Sequence, residues 1–223
     1  VLAPLIELVI SRYQWHYFNR DAFIYYCMGR ELARGIGPTS VTLWDPNTLQ
    51  WVTKTVKEAL GVNYFTMEEL KADAAGLIIL AQLANNQMMQ FNMSNMGAEE
   101  NLPDVIARRS FYVTWLAYLF NRVRYNSFDS SQQSACIAFN YLRTKRAISV
   151  DKETVIEEGS EIINYRYGIN FPSIENALNL LMKDILTIES TSLNAHAVTQ
   201  FIETYGTMRE EMKEAIRTMD EAK

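Results

Sequence analysis

Apolar residues recur along this chain at the three- and four-residue spacing of amphipathic helices, and helix-boundary signals separate the repeats. Pro103-Asp104 begins one such run, and Thr66-Met67-Glu68-Glu69 matches a capping box ahead of another. Helices are predicted over about 5–32 (one helix, or two broken near Asn19-Arg20-Asp21), 47–60, 70–89, 103–125, 132–146, 151 to 159 or 168, 173 onwards, 194–205 and 208–222. The pattern therefore predicts an all-α fold.

Strand signals are weak by comparison. The best candidate, 39–43, is long enough only for a short minor strand or hairpin. We expect residues 1–223 to form a single compact multi-helix domain. The alternative is two helical lobes, 1–96 and 97–190, with 191–223 as a C-terminal helical arm, because the stretch 92–101 is rich in Asn, Met and Gly and resembles a linker.

Composition places the chain in the ordinary globular class. It has 223 residues, of which 48% are hydrophobic and 21% are charged. The two cysteines, Cys27 and Cys136, make no disulfide framework and indicate free thiols in a reducing compartment. The most apolar run, 74–84, is too short to cross a bilayer, which takes about 20 residues, and no signal-peptide pattern is present. We expect a protein of the cytoplasm or of a virion, without membrane contact.

Motifs of known enzyme classes are missing from the sequence. His16 and His196 have no second ligand at metal-binding spacing. Gly35-Ile36-Gly37 is followed by Pro38, which lacks the amide that a phosphate cradle needs. Paired carboxylates at Glu68-Glu69, Glu157-Glu158 and Glu210-Glu211 indicate solvated helix faces. These observations favour a protein that is not an enzyme and that needs no cofactor or metal.

Charge is distributed unevenly. The whole chain has a net charge of −5, yet residues 107–150 contain seven basic side chains and one acidic one, a balance of +6. The flanking parts are acidic, with −4 over 1–106 and −7 over 151–223. Such asymmetry indicates a charged partner.

The basic stretch also contains aromatic rings and a polar turn. Arginine binds phosphate with two parallel hydrogen bonds, and aromatic rings stack on bases of single strands. We therefore predict a groove between two helices that binds single-stranded nucleic acid, preferably RNA. Its residues are Arg108, Arg109, Tyr112, Arg122, Arg124, Tyr125, Ser127, Phe128, Asp129, Arg143, Lys145 and Arg146.

The function predicted from this groove is that of a nucleic-acid-coating structural protein, such as a viral nucleocapsid or filament coat subunit that self-assembles into a homo-oligomer. One alternative is a helical scaffold or adaptor that binds other proteins. A structural alternative also remains open, because basic side chains near helix C-termini stabilise the helix dipole and can pair with the acidic C-terminal third. In that case the groove would not exist.

Overall fold

The computed structural model describes residues 3–45, 47–86, 88, 102–124, 129–157, 160–191 and 194–221. These residues form α1 Ala3–Val9, α2 Arg20–Ala33, α3 Val56–Leu60, α4 Tyr64–Asn85, α5 Pro103–Arg124, α6 Ser130–Thr144, α7 Phe171–Ser190, α8 Asn194–Tyr205 and α9 Glu210–Glu221, with 3-10 helices at Arg12–Tyr17 and Gly61–Asn63. The strands are β1 Ser40–Asp45, β2 Gln50–Thr55, β3 Ile148–Glu157 and β4 Ser160–Ile169. The prediction of a mostly helical protein is confirmed, but two antiparallel sheets replace the single minor strand or hairpin that was expected.

The first hairpin pairs β1 with β2, so the helix predicted over 47–60 is wrong for most of its length. The Asp45 carboxylate does accept a hydrogen bond from the Asn47 backbone N–H at 2.9 Å, as a helix cap would. The same local bond also forms in tight turns, and here a turn follows. Helix α3 begins only after Thr55, whose side chain forms a capping box with Glu58.

The second hairpin pairs β3 with β4 over ten residues on each strand, with Ile148 opposite Ile169. The acidic helix predicted from Asp151 is therefore wrong. Its acidic residues resembled a first helical turn, but β-branched and aromatic residues are enriched through 148–169. Such residues favour the pleated surface of a sheet.

Helix α4 lies at the centre of the fold and packs against α2, α5, α6 and α7. Its crossing with α2 is close, because a Cβ atom added at Gly76 would lie 2.9 Å from the Arg30 backbone nitrogen. Asn19 caps the start of α2 by accepting bonds from the N–H groups of Asp21 and Ala22. Of the two alternatives for the N-terminal segment, the break near Asn19 is therefore the one observed, but the part before it is α1 and a 3-10 helix rather than one helix.

One cluster of buried apolar side chains runs through the described residues from Leu5 to Met219. The division into lobes at 1–96 and 97–190 stays a prediction. Across the described ranges, no helix is long and apolar enough to cross a membrane.

Candidate functional site

The first half of α4 contains four charged residues, Glu68, Glu69, Lys71 and Asp73, although most of this helix is buried. A charge that leaves water inside a protein is costly unless an opposite charge and hydrogen bonds compensate it. The four side chains must therefore have partners on neighbouring elements. Those partners lie on two flanks of α4.

On the first flank lie two arginines four residues apart, one in the last turn of α2 and one at its C-cap. The guanidiniums of Arg30 and Arg34 both pair with the carboxylate of Glu69, and the Arg34 Nη2 lies 2.9 Å from its Oε1. The Arg30 Nε also lies 2.8 Å from Asp73 Oδ1. These contacts require the close crossing of α2 and α4, which Gly76 permits.

The most buried group on this flank is the carboxylate of Asp73, whose side chain is 1% exposed. It accepts hydrogen bonds from the Tyr26 hydroxyl at 2.6 Å and from the Arg122 guanidinium. Burial alone would lower the pKa of Arg122, but the charge of Asp73 raises it above its ordinary value. Burial and the same carboxylate raise the pKa of Tyr26. Arg122 therefore remains a cation and Tyr26 a neutral donor.

On the second flank, the ammonium of Lys71 bridges two carboxylates. It pairs with Glu68 and, at 3.0 Å, with Glu189 of α7, whose side chain is 0% exposed. Burial would lower the pKa of Lys71, but its hydrogen bonds to Glu68 and Glu189 raise it. Burial raises the pKa of Glu189 further than Lys71 lowers it. This bridge ties the C-terminal end of α7 to α4.

A cavity of about 260 Å³ opens beside the second flank. It is lined by Arg34, Lys57, Lys71, Glu68 and Tyr64, together with residues 35–39 of the loop before β1. Residues of both charges therefore line one space, which suits a small polar ligand or a segment of peptide.

We call the set of Arg30, Arg34, Glu68, Glu69, Lys71 and Asp73 the α2–α4 charge cluster. Clusters of buried ionisable groups next to a cavity are candidate functional sites. No group of three or more His, Cys, Asp or Glu side chains that could hold a metal ion occurs in the described part of the chain.

The interpretation of Glu68-Glu69 as a solvated helix face is wrong. Both side chains are mostly buried and paired. One signal in the sequence could have revealed this. The charges precede the apolar run 74–84 on the same helix, and a helix that is apolar on all sides lies inside a protein. By that rule, the charged first turns of this helix should meet other protein groups rather than water.

The predicted basic groove is dispersed in the structure. Arg108 pairs with Glu175 at 2.8 Å, and the buried Tyr112 hydroxyl donates to the same carboxylate at 3.3 Å. Arg109 donates to the Tyr17 hydroxyl at 2.6 Å, and its guanidinium lies 4.7 Å from the centre of the Phe171 ring. These three predicted residues do share a cavity of about 260 Å³ with the start of α7.

The other predicted groove residues lie elsewhere. Arg122 is buried and also donates to Ser131 and Ser134. Arg124 pairs with Asp220 at 2.7 Å and Arg143 with Glu211 at 2.7 Å, so both contact the acidic C-terminal helix.

Asp129 caps α6, and its carboxylate accepts a bond from the Gln132 N–H at 2.9 Å. The Lys145 ammonium lies 5.2 Å from the centre of the Tyr141 ring. Arg146 follows α6 with a positive φ of 59°. Tyr125, Ser127 and Phe128 lie outside the described residues.

Known proteins with similar sequences or folds bear on the function of this chain. No protein-family model matches the chain. The chain is 28% identical over all of its 223 residues to Nudix hydrolase 3 of Arabidopsis thaliana, of which it covers 25%. In fold it resembles dipeptidyl-peptidase III from Caldithrix abyssi, with a TM-score of 0.78, 22% identity, and coverage of 99% of this chain and 36% of that one.

A second dipeptidyl-peptidase III, from Corallococcus sp. strain EGB, shares the fold with a TM-score of 0.79 and 18% identity, over 99% of this chain and 35% of that one. The chain therefore spans about a quarter of the sequence relative and about a third of each solved structure. All three of these proteins are named as hydrolases or peptidases.

These findings overturn the functional predictions from the sequence. The nucleic-acid coat subunit, the viral nucleocapsid and the non-enzymatic scaffold are wrong, because the proteins that the chain resembles are named as hydrolases and peptidases. Single-stranded RNA as the partner of a coat-like homo-oligomer is wrong for the same reason, and the virion location has no support. The basic charge that suggested a groove is used largely inside the fold, where arginines of α5 and α6 pair with acidic residues of α7 and α9.

Proposed function

We propose that this chain is part of a hydrolytic enzyme that acts on peptides, and that the cavity beside the α2–α4 charge cluster belongs to its substrate site. The observation that supports this most is the superposition of 99% of the chain on two dipeptidyl-peptidase III structures. The sequence similarity to Nudix hydrolase 3 supports hydrolysis in general. A peptide substrate is favoured because the chain covers only 25% of Nudix hydrolase 3, which leaves most of that protein for the activity in its name.

The chemistry of the cavity is compatible with a peptide. A peptide presents amide groups along its backbone and a charge of each sign at its ends, and the residues that line the cavity include cationic ones, Glu68 and the loop 35–39. Arg34 is accessible at the rim, with 38% of its side chain exposed. Arginine can bind a carboxylate with two parallel hydrogen bonds. Glu68 is the carboxylate in this cavity that can receive an amine or an amide N–H.

The proposal is tested with the protein that contains this chain and a dipeptide joined to a fluorescent arylamine. We expect cleavage to release the arylamine, and we expect Glu68→Gln to lower kcat/KM at least tenfold. The matched control is Glu210→Gln, because Glu210 pairs with Lys213 at the same three-residue spacing as Glu68 with Lys71 but is 83% exposed. The control should remain within about twofold of the unaltered protein, which is ordinary for an exposed pair.

Two results would contradict the proposal. One is a purified protein that releases no arylamine from any of a panel of dipeptides. The other is an equal effect of Glu68→Gln and Glu210→Gln on kcat/KM. Circular dichroism of both variants shows whether a loss of activity reflects a loss of fold.

A further inference from the structure

The two arginines at the C-terminal end of α2, Arg30 and Arg34, have the spacing of a well-known metal-binding helix motif. In many metallopeptidases a helix contains His-Glu-x-x-His, in which two histidines one turn apart bind zinc and the glutamate acts as general base. The last turn of α2 and its C-cap read Arg30-Glu31-Leu32-Ala33-Arg34, with the glutamate in the same place and arginine at both histidine positions. Spacing alone is weak evidence that these residues correspond to a metal-binding motif. The contacts of the two arginines are stronger evidence.

The surroundings also match a metal centre, except for the two arginines. Both guanidiniums converge on a single carboxylate, Glu69, which comes from another helix. Zinc sites of peptidases commonly use two histidines and one carboxylate as ligands. Glu69 is therefore a carboxylate in contact with both positions, as a site of two histidines and one carboxylate requires.

Arginine cannot serve as a metal ligand here. Its guanidinium stays protonated at all ordinary pH values and has no lone pair to offer. The nearby charge of Asp73 raises the pKa of Arg30 further, against the opposing effect of burial. Two fixed positive charges beside Glu69 also repel a divalent cation.

We infer that the Arg30–Arg34–Glu69 group is a metal-free counterpart of a metallopeptidase centre, in which two guanidiniums occupy the place of a divalent cation and neutralise Glu69. The inference does not depend on the proposed function. A peptide hydrolase that activates water with other groups would be consistent with both the proposed function and the metal-free group. If the protein hydrolyses no peptide, the proposed function fails but the inference about the metal-free group stands.

The contacts of both arginines with Glu69 place these three positions close enough together for a metal site to be built by substitution. A histidine side chain is shorter than an arginine, but a bound zinc adds two ligand bonds of about 2.0–2.2 Å each. Because the two bonds meet at a tetrahedral angle, they span roughly 3.4 Å from the imidazole nitrogen to the carboxylate oxygen, against 2.9 Å for the present contact between Arg34 and Glu69. The double variant Arg30→His/Arg34→His should therefore bind zinc between the new imidazoles and Glu69.

The test measures zinc binding with a chromophoric competitor and metal content by mass spectrometry. We expect the unaltered protein to retain no stoichiometric zinc, and the double variant to bind about one zinc per chain. Adding Glu69→Gln to the double variant should weaken its affinity at least tenfold.

The matched control is Lys213→His/Arg217→His on α9, where Lys213-Glu214-Ala215-Ile216-Arg217 has the same spacing and the same glutamate. Both of these side chains are exposed, and each pairs only locally within α9 in the contacts that the structure describes. The control should bind zinc at least tenfold more weakly than the α2 double variant.

Two outcomes overturn the inference. The first is an unaltered protein that holds one equivalent of a divalent metal and loses it on Glu69→Gln, a measurement that needs no arginine variant. The second is a folded α2 double variant that binds zinc no more tightly than the α9 control. If the double variant does not fold, the first measurement still decides, because metal content of the unaltered protein and of its Glu69→Gln variant needs no arginine variant.

Discussion

The carboxylate of Asp73 holds two cations in the interior, so its removal offers a sharp test of the packing around α4. Asp73→Asn keeps the size of the side chain but removes its charge. The Arg30 and Arg122 guanidiniums, with side chains 11% and 5% exposed, then lose the carboxylate that both contact. The Tyr26 hydroxyl, which donates to Asp73 at 2.6 Å, can still donate to the new amide oxygen.

The expected loss of stability follows from these contacts. Removing one partner of a buried ion pair costs about 3–5 kcal/mol, because the remaining charge stays buried without compensation. Glu69 still pairs with Arg30 and lies 3.9 Å from Arg122, so the lower end of that range applies. We expect a loss of about 3 kcal/mol in the free energy of unfolding, which for a chain of this size corresponds to roughly 6–12 °C in Tm.

Urea denaturation followed by circular dichroism measures this loss. The control is Asp220→Asn, since Asp220 pairs with Arg124 at 2.7 Å but is 48% exposed, and exposed pairs contribute at most about 1 kcal/mol. The reasoning is refuted if Asp73→Asn unfolds within about 0.5 kcal/mol of the unaltered protein, or if it costs no more than Asp220→Asn.

Two further predictions concern packing and a thiol. Gly76→Ala should lower the free energy of unfolding by about 1 kcal/mol, because the overpacking cost of about 1–3 kcal/mol exceeds the gain in helix propensity. Gly35→Ala, which meets no atom within 4 Å, should change it by less than about 0.5 kcal/mol, and equal values for both would contradict the close crossing of α2 and α4. Burial raises the pKa of Cys136 to about 11, so at pH 8 roughly 0.1% of it is thiolate, against about a quarter of an ordinary thiol. Iodoacetamide should therefore modify Cys136 at least a hundredfold more slowly in the folded protein than in urea, and similar rates would show that the thiol is accessible and ionised.

Local signals in the sequence determined much of the helical framework. Pro103 begins α5 as predicted, and Gly61 ends α3 with a φ of 55°. Asn19 breaks the N-terminal segment where its side chain can cap α2. Helix periodicity, caps and breakers depend on residues within four positions of one another, so the sequence contains them directly.

Most of the two hairpins was not predicted, because strand pairing depends on residues that are not local. A strand forms its hydrogen bonds with a partner strand, and the sequence of one strand does not identify that partner. In 148–169 the acidic residues suggested a helix start, and the pairing of Ile148 with Ile169 became visible only in the tertiary structure.

The candidate site was decided entirely by tertiary structure. The sequence shows the charges of Arg122, Arg124, Glu68 and Glu69, but a charge attracts any opposite charge near it and no local rule selects one. Folding brings Arg124 to Asp220 across 96 positions and Lys71 to Glu189 across 118. The arginines that seemed available for phosphate were therefore largely paired within the fold, while the glutamates that seemed solvated became part of the α2–α4 charge cluster.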